Sequence, residues 1–427
     1  MNKTFDIKKI DLTLLVLALI LLAVGFLFTR MIKKINPVQK KDTVLVFTQW
    51  WQDELEAETL SVLKTEFEAL NPGVTVQLDN RPYAEILSTL RSNVEAPLNS
   101  DILGLDPLWF EDLVRQDLLE ELDTYNPSGD PSLGTPPAVP DQSYEKWGRH
   151  LISFTSPLFY NIELLQSAGF DRPPKSRAEI LTYARSVTDK STGQYALALA
   201  LSPENPQGVY RDLFSWIWAS GPAMTREGRP DFSARTITGA LAFLKQLRQE
   251  EFLLPGTFTR TAAEKREDFI QGRSAMMISS VADIHVLRKR MGESAFGITA
   301  IPGESSFGGK PVLGLTGWYL GILRSSEHKD EAWAFLSFLL ERGALITEKA
   351  HAVPGSRNNA IDFITGDPLY AKAYDMYTVG ETVQEFTGVP RVDEFESLVR
   401  EQVYALFEKN QSPEETAKRI QQHWEEL

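Results

Sequence analysis

The sequence contains no cysteine. That excludes disulfides, thiol nucleophiles, Cys-ligated zinc, iron–sulfur clusters and lipid attachment at an N-terminal Cys. It leaves the redox compartment open, because a Cys-free chain is stable on either side of a membrane. Histidine is scarce, and His150, His285, His328, His351 and His423 show no metal-ligand spacing. Positive charge is in deficit: 44 Lys and Arg face 58 Asp and Glu, a formal net charge of −14. Nucleic acid and an anionic membrane surface are therefore not the expected partners, since both are recognised through Lys and Arg. The acidic balance reads as a solubility feature. No HExxH, GxSxG, Walker A or GxGxxG motif occurs, nor any internal repeat or heptad array. No cofactor and no metal are expected.

What is present describes an ordinary globular chain, with 43% hydrophobic and 10% aromatic residues. Its 427 residues exceed what one core usually holds, so two lobes are expected. One long apolar run stands out, Leu12–Phe28, which carries no charge and is flanked by Lys8, Lys9, Arg30, Lys33 and Lys34. At about 1.5 Å per residue it would extend roughly 25 Å, the short end of a membrane-spanning helix. The reading adopted is an uncleaved single-pass anchor, with a cleaved signal peptide as the alternative. Ala23-Val24-Gly25 offers a small-x-small site, but Phe26-Leu27-Phe28 continues the apolar run past it. The flanking charges lean slightly towards a cytoplasmic body, a weak argument for a large domain after a first span.

The stretch Thr43–Glu54, TVLVFTQWWQDE, begins as a buried strand and ends in polar and aromatic residues just before a helix. Open α/β sheets bind ligands at such strand ends. An amphipathic helix follows, with Leu60, Leu63, Phe67 and Leu70 on one face, stopped by Asn71-Pro72-Gly73. Val74–Leu78 reads as a second strand, Tyr83–Asn93 as a helix, and Asp101–Leu105 as a third strand ending at Asp106 and Trp109. This β-α-β-α-β order predicts a parallel sheet with right-handed crossovers. Both polar-aromatic strand ends then fall on one edge.

Further on, the proline-rich stretch 126–141 reads as a surface excursion, and Ile152–Thr155 as an extended crossing into a second lobe. Tyr195–Leu201, Ala275–Ile278 and Phe296–Ile301 read as strands, the last expected to begin a return to the first lobe. Leu313–Leu323 is a further strand, carrying Trp318 and Tyr319. Helices are expected at Ala234–Glu250, at Lys329–Leu340 and after Ser412.

The order of these motifs resembles the extracellular solute-binding proteins of ABC importers, in the sugar-binding group that includes maltose-binding protein. The matching pieces are VFTQWW (46–51), FEALNPGVTVQL (67–78) with RPY (81–83), SDILGLDPLWFEDLVRQDLLEELDTY (100–125), SPLFYNIELLQSAGFDRPPKSRAEI (156–180), FIQGRSAMMIS (269–279) and GWYLGILRSSEHKDEAWAFLSFLL (317–340). The resemblance implies an α/β, two-lobed periplasmic-binding-protein fold, a type II-like clamshell closing on its ligand, here preceded by a transmembrane helix. It also implies an extracytoplasmic body that hands a solute to ABC permease subunits. The expected divisions are a basic N-terminus (1–11), the anchor (12–28) and a linker (29–42). Lobe 1 (43–150), lobe 2 (151–295) and a return to lobe 1 (296–345) follow, with C-terminal helices mainly in lobe 2 (346–427). A monomer is expected. Two departures matter. The lipid-anchoring Cys common in the family is absent, and Ser279-Ser280-Val281-Ala282-Asp283 lacks the aromatic that often follows the AMM strand.

Sugars are held by aromatic faces against their C–H surfaces and by polar groups on their hydroxyls. The candidate ligand-binding residues are Trp50, Trp51, Asp106 and Trp109 in the first lobe and Trp216, Trp218 and Asp283 in the second. Trp318 and Tyr319 are candidates near the hinge. Against each stands a packing role. Adjacent Trp50 and Trp51 point opposite ways if extended, so one of them faces the core. Asp106 suits a helix N-cap equally well, and the acidic cluster from Asp53 to Glu58 suits a solvated face. A carbohydrate or related polyol is the expected ligand. A glycosidase with a carboxylate pair, Asp106 with Asp283 or Glu381, is one alternative. A membrane-tethered sugar sensor is another, disfavoured by the shortness of the segment before the span.

Overall fold

The computed structural model describes residues 43–426 apart from 56, 93–97, 126–143, 145, 206–207, 222–223, 227–228, 305–311, 356–360, 384–385 and 387–390. The predicted span 12–28, the linker 29–42 and the proline-rich stretch 126–141 lie outside the described residues. Among the described residues, no helix is long and apolar enough to cross a membrane.

The strands in chain order are β1 (Thr43–Gln49), β2 (Val74–Asn80), β3 (Ile102–Leu105), β4 (Arg149–Thr155), β5 (Leu158–Asn161), β6 (Tyr195–Ala198), β7 (Thr225–Arg226) and β8 (Arg229–Pro230). They continue with β9 (Ser274–Ile278), β10 (Phe296–Thr299), β11 (Val312–Ile322), β12 (Val353–Pro354) and β13 (Glu381–Val383). Seven form one sheet in the order β12-β4-β11-β3-β1-β2, with β13 pairing β11; four form a second, β10-β5-β9-β6; and β7 and β8 make a small ribbon.

In the first sheet, β1 lies between β2 and β3, parallel to both. Leu45 and Phe47 are wholly buried, as expected of a strand covered by helices on its faces. The helix Ala57–Leu70 connects β1 to β2 and buries Leu60, Leu63 and Phe67. Leu70, expected on the same face, is instead 64% exposed. The chain is already leaving the helix there, through Asn71 and a left-handed Gly73 (φ 91°). Asp101 ties this sheet together: its carboxylate accepts the Val46 N–H at 2.8 Å and the Ser326 hydroxyl at 2.5 Å.

Strands β4 and β5 are separated only by Ser156 and Pro157 but belong to different sheets, so the chain crosses between lobes there; Ile152–Thr155, expected to be the crossing, pairs with β11 inside the first sheet. The region 296–301 departs from expectation. Strand β10 pairs antiparallel with β5, Phe296 opposite Asn161, and stays in the second sheet. Its buried residues pack beside Phe159, 6.1 Å from Phe296 between ring centroids, and apolar alternation alone does not say which sheet a strand will join. The return to the first sheet is made by β11. The C-terminal region also divides. Strands β12 and β13 join the first sheet, whereas helices Val392–Glu408 and Pro413–Glu426 pack on Arg235–Gln249 in the core of the second lobe.

Strand β6 stops at Ala198, earlier than its apolar run suggests. Beyond it, side chains replace the ladder: the Ala200 N–H donates to Asp212 at 3.3 Å and its carbonyl accepts from the Asn205 amide at 2.7 Å. This places the polar segment around Asn205 at the end of the second sheet. Residues 213–219 are helical: a wide i→i+5 turn, Tyr210–Phe214, runs into the short α-helix Ser215–Trp218.

Candidate functional site

At the end of β1 the Gln49 side chain accepts the Trp51 N–H and donates to Asn80. The chain turns there, and the two tryptophans separate. Trp51 swings into the core, edge-on to Phe47 at 5.6 Å. Gly104 opposite makes room for it, since a Cβ on Gly104 would sit 2.8 Å from the indole. Trp50 stays half-buried, with its ring 5.3 Å from Tyr83 and 4.9 Å from Trp109 between centroids.

Trp50 borders a cleft of about 570 Å³ whose lining comes from both lobes. The first lobe contributes Trp50, Arg81, Tyr83 and Asp106; the second contributes Asn205, Arg211, Arg266 and Asp283; Phe154, Thr316 and Trp318 of β4 and β11 lie between them. Asp106 and Arg211 also line a smaller cavity of about 30 Å³, together with Tyr210 and Trp218. Trp218 fits against β11 because Gly314 has no side chain; a Cβ there would lie 2.8 Å from the indole.

Asp106 performs the capping role weighed for it. Its carboxylate accepts the Leu108 N–H at 2.9 Å, with Pro107 at the first helical position. Tyr83 accepts the indole N–H of Trp109 at 3.0 Å. Burial, and then the neighbouring Asp106 carboxylate, hold the Tyr83 phenol well above its ordinary pKa. From the second lobe, Glu396 of helix Val392–Glu408 reaches the same neighbourhood. Burial pushes its carboxyl up to about 8, which Arg400 at 3.9 Å offsets only in part and Asp106 reinforces. Tyr210 is raised by burial and by Glu396.

On the facing wall Asp283 is committed to protein partners, accepting Arg266 Nη1 at 2.6 Å and the Ser279 hydroxyl. Arg266 belongs to helix Ala262–Ile270, which starts with a full capping box between Thr261 and Glu264. The preceding residue, Lys265, points the other way. Its ammonium lies 2.6 and 2.7 Å from the two Asp212 oxygens and 2.6 Å from the Ile278 carbonyl, with neither side chain exposed. Burial pulls the ammonium below its ordinary pKa and pushes the carboxyl up, while each partner opposes the other's shift. The contact with both carboxylate oxygens is that of an ion pair.

Of the residues proposed from sequence, Trp50, Asp106, Asp283 and Trp318 border the cleft and Trp218 borders the smaller cavity. Trp318 is only 3% exposed, with one face covered by Trp51. Trp51, Trp109, Trp216 and Tyr319 do not line the cleft. Trp51, Trp109 and Trp216 are wholly buried. Trp216 packs on Phe243 at 5.4 Å, and Tyr319 stacks on His150 at 4.5 Å. Their aromatic faces are occupied by other side chains, so they shape the core instead of meeting a ligand. Glu381 is exposed at the start of β13 and lies away from the cleft lining. Sequence reasoning missed Tyr83, Phe154, Arg211 and Arg266. The signal for Arg211 was a single cation inside the apolar stretch VYRDLFSWIW. Among the described residues, no group of three or more His, Asp or Glu could hold a metal ion.

Known proteins place this geometry. A Brucella abortus binding protein is 24% identical over 307 residues, 70% of this chain and 72% of that protein. A Deinococcus radiodurans ABC transporter-binding protein is 22% identical over 60% of this chain and 63% of its own length. Among solved structures, the GacH receptor of Streptomyces glaucescens superposes with a TM-score of 0.73 at 20% identity, covering 90% of this chain and 98% of that one. Maltose-bound T. maritima MalE3 gives 0.75 at 18% identity, covering 90% and 100%. The fold is thus the two-lobed α/β periplasmic-binding-protein fold. The profile of the bacterial extracellular solute-binding proteins matches residues 47–345, and the chain belongs to that family.

Proposed function

We propose that the chain binds a carbohydrate or related polyol in the cleft between its lobes and delivers it, unchanged, to ABC permease subunits. The observation that carries this reading is the composition of the cleft. Trp50 and Tyr83 offer aromatic faces on one side, and Asn205, Arg211 and Arg266 offer donors on the other. Similar proteins support it: solved structures of this fold hold maltose, α-D-tagatose and ribitol. In this reading residues 12–28 tether a monomeric body to the outer face of the cell membrane. The glycosidase alternative is the weaker one, because the carboxylates it would use are already engaged, Asp106 by the Leu108 N–H and Asp283 by Arg266 and Ser279.

Tryptophan fluorescence or thermal shift against a panel of mono- and oligosaccharides tests the proposal. Saturable binding without turnover is expected. Release of product from any sugar in the panel would overturn it. Protease accessibility of the body in intact cells tests the topology: cleavage from outside is expected, and full protection behind a permeabilised outer layer would overturn the tethered, outward-facing arrangement.

A further inference from the structure

Among the described residues three arginines border the cleft, and two are paired with acids. Arg81 donates Nε to Asp79 at 2.7 Å, and Arg266 donates to Asp283 at 2.6 Å. Arg211 differs from both. Its Nε is buried with no hydrogen-bond acceptor, and no acid among the described residues pairs with its guanidinium. Asp212, next to it in sequence, feels the Arg211 charge but turns both carboxylate oxygens to the Lys265 ammonium, at 2.6 and 2.7 Å. The backbone keeps Arg211 where it is. In the wide turn Tyr210–Phe214 the other four side chains are buried and Arg211 alone is half-buried, bordering both the cleft and the smaller cavity. Turns of this i→i+5 kind are locally unfavourable and recur at functional sites. A buried charged donor without an acceptor is more destabilising than a neutral one.

A guanidinium fork is satisfied best by a planar oxyanion, which accepts two parallel N–H bonds. We propose that the solute is an acidic saccharide, one whose ring carries a carboxylate as in a hexuronate, and that Arg211 anchors that carboxylate while Trp50 and Tyr83 meet the ring. This rests on reading the cleft as a saccharide site. Glu54 and Glu204 stand exposed at its edge. They favour a ligand of low charge over a polysulfated or polyphosphorylated one, though solvent screens exposed charges of this kind.

The test is calorimetric titration of the full chain with glucuronate, digalacturonate, their neutral counterparts glucose and maltose, and glucose 6-phosphate. The acidic sugars should bind about tenfold or more tightly than the neutral ones, the scale of a charge-assisted hydrogen bond, and the preference should shrink as salt is raised. Arg211→Gln should bring the acidic-to-neutral ratio close to one, and Arg211→Lys should keep part of it. If Arg211→Gln does not fold, the wild-type ratio, its salt dependence and Arg211→Lys still decide the matter. Neutral sugars binding as well as acidic ones, or the phosphate binding better than the carboxylates, would overturn the inference and leave the saccharide reading standing. Binding of no sugar of any kind would remove both.

Discussion

Trp51 lies flat on Trp318, their ring centroids 4.5 Å apart and their planes 9° from parallel. The contact joins the end of β1 to the middle of β11, next to the crossing between lobes. By occupying Trp51 it leaves Trp50, of the two, at the cleft.

The two neighbours should therefore separate on mutation. Trp51→Ala removes a wholly buried indole and should destabilise the protein by about 3–5 kcal/mol, read by thermal or denaturant unfolding. Trp50→Ala should leave stability much closer to wild type and weaken sugar binding about tenfold, the upper range of one aromatic contact. Equal effects of both changes on stability would contradict the division of roles.

Gly104→Ala addresses the same packing from the other side. The new Cβ would lie 2.8 Å from the Trp51 ring and 2.9 Å from the Gln49 Cβ. Neither can retreat far, because Gln49 is bonded to the Trp51 amide and to Asn80. A loss of about 1–3 kcal/mol is expected, the usual cost of overpacking, and unfolding midpoints would measure it.

Lys265→Met should be among the most damaging single changes away from the aromatic core. It leaves the Asp212 carboxylate buried without its cation, a situation that costs about 3–5 kcal/mol. Adding Asp212→Leu should recover much of that loss, because two apolar groups need no partner. A double-mutant cycle by urea unfolding tests this; a double variant no more stable than Lys265→Met would argue against the pair as the cause.

Glu396 should make stability depend on pH. Its carboxyl is raised to about 8 in the fold from an ordinary value of 4.5. Below the ordinary range it is protonated in folded and unfolded chains alike, and the fold bears no penalty. As pH rises towards 8 the unfolded chain ionises first, so it binds fewer protons than the fold and stability falls. Glu396→Gln cannot ionise, and should reduce the loss between pH 5 and 8 by on the order of 2 kcal/mol. Thermal unfolding at pH 5, 6.5 and 8 would show it. The groups that share the neighbourhood, Arg400, Asp106, Asp393 and the Tyr83 and Tyr210 phenols, remain in both proteins.

Much of the scaffold was readable from local pattern. The β1–helix–β2–helix–β3 order and the helix of residues 235–249 follow from runs of apolar residues at periods of two and 3.6, punctuated by Pro and Gly. The six ordered motifs carried the family. Strand partners were less readable. Phe296–Thr299 has the composition of a strand that either sheet could accept, and only packing beside Phe159 assigned it to the second.

The cleft marks the boundary between the two kinds of information. The sequence by itself determined that a strand would end just before Trp50 and Trp51, because an apolar run of that length is a local signal; the two side chains part because Trp51 opens a 3-10 turn in place of continuing the strand. The sequence also determined that Asp106 could cap the turn at Pro107. Which tryptophan went inward was decided by residues distant in sequence: Gly104 leaves room for the Trp51 indole and Trp318 stacks on it. The charge of the far wall was likewise a tertiary matter. Lys265 and Arg266 are adjacent and chemically alike. One is buried against Asp212 and the other borders the cleft, because successive positions on a helix face different directions. Arg211 stands apart from both, since the fold brings it an aromatic-lined opening and, among the described residues, no acid in an ion pair with it.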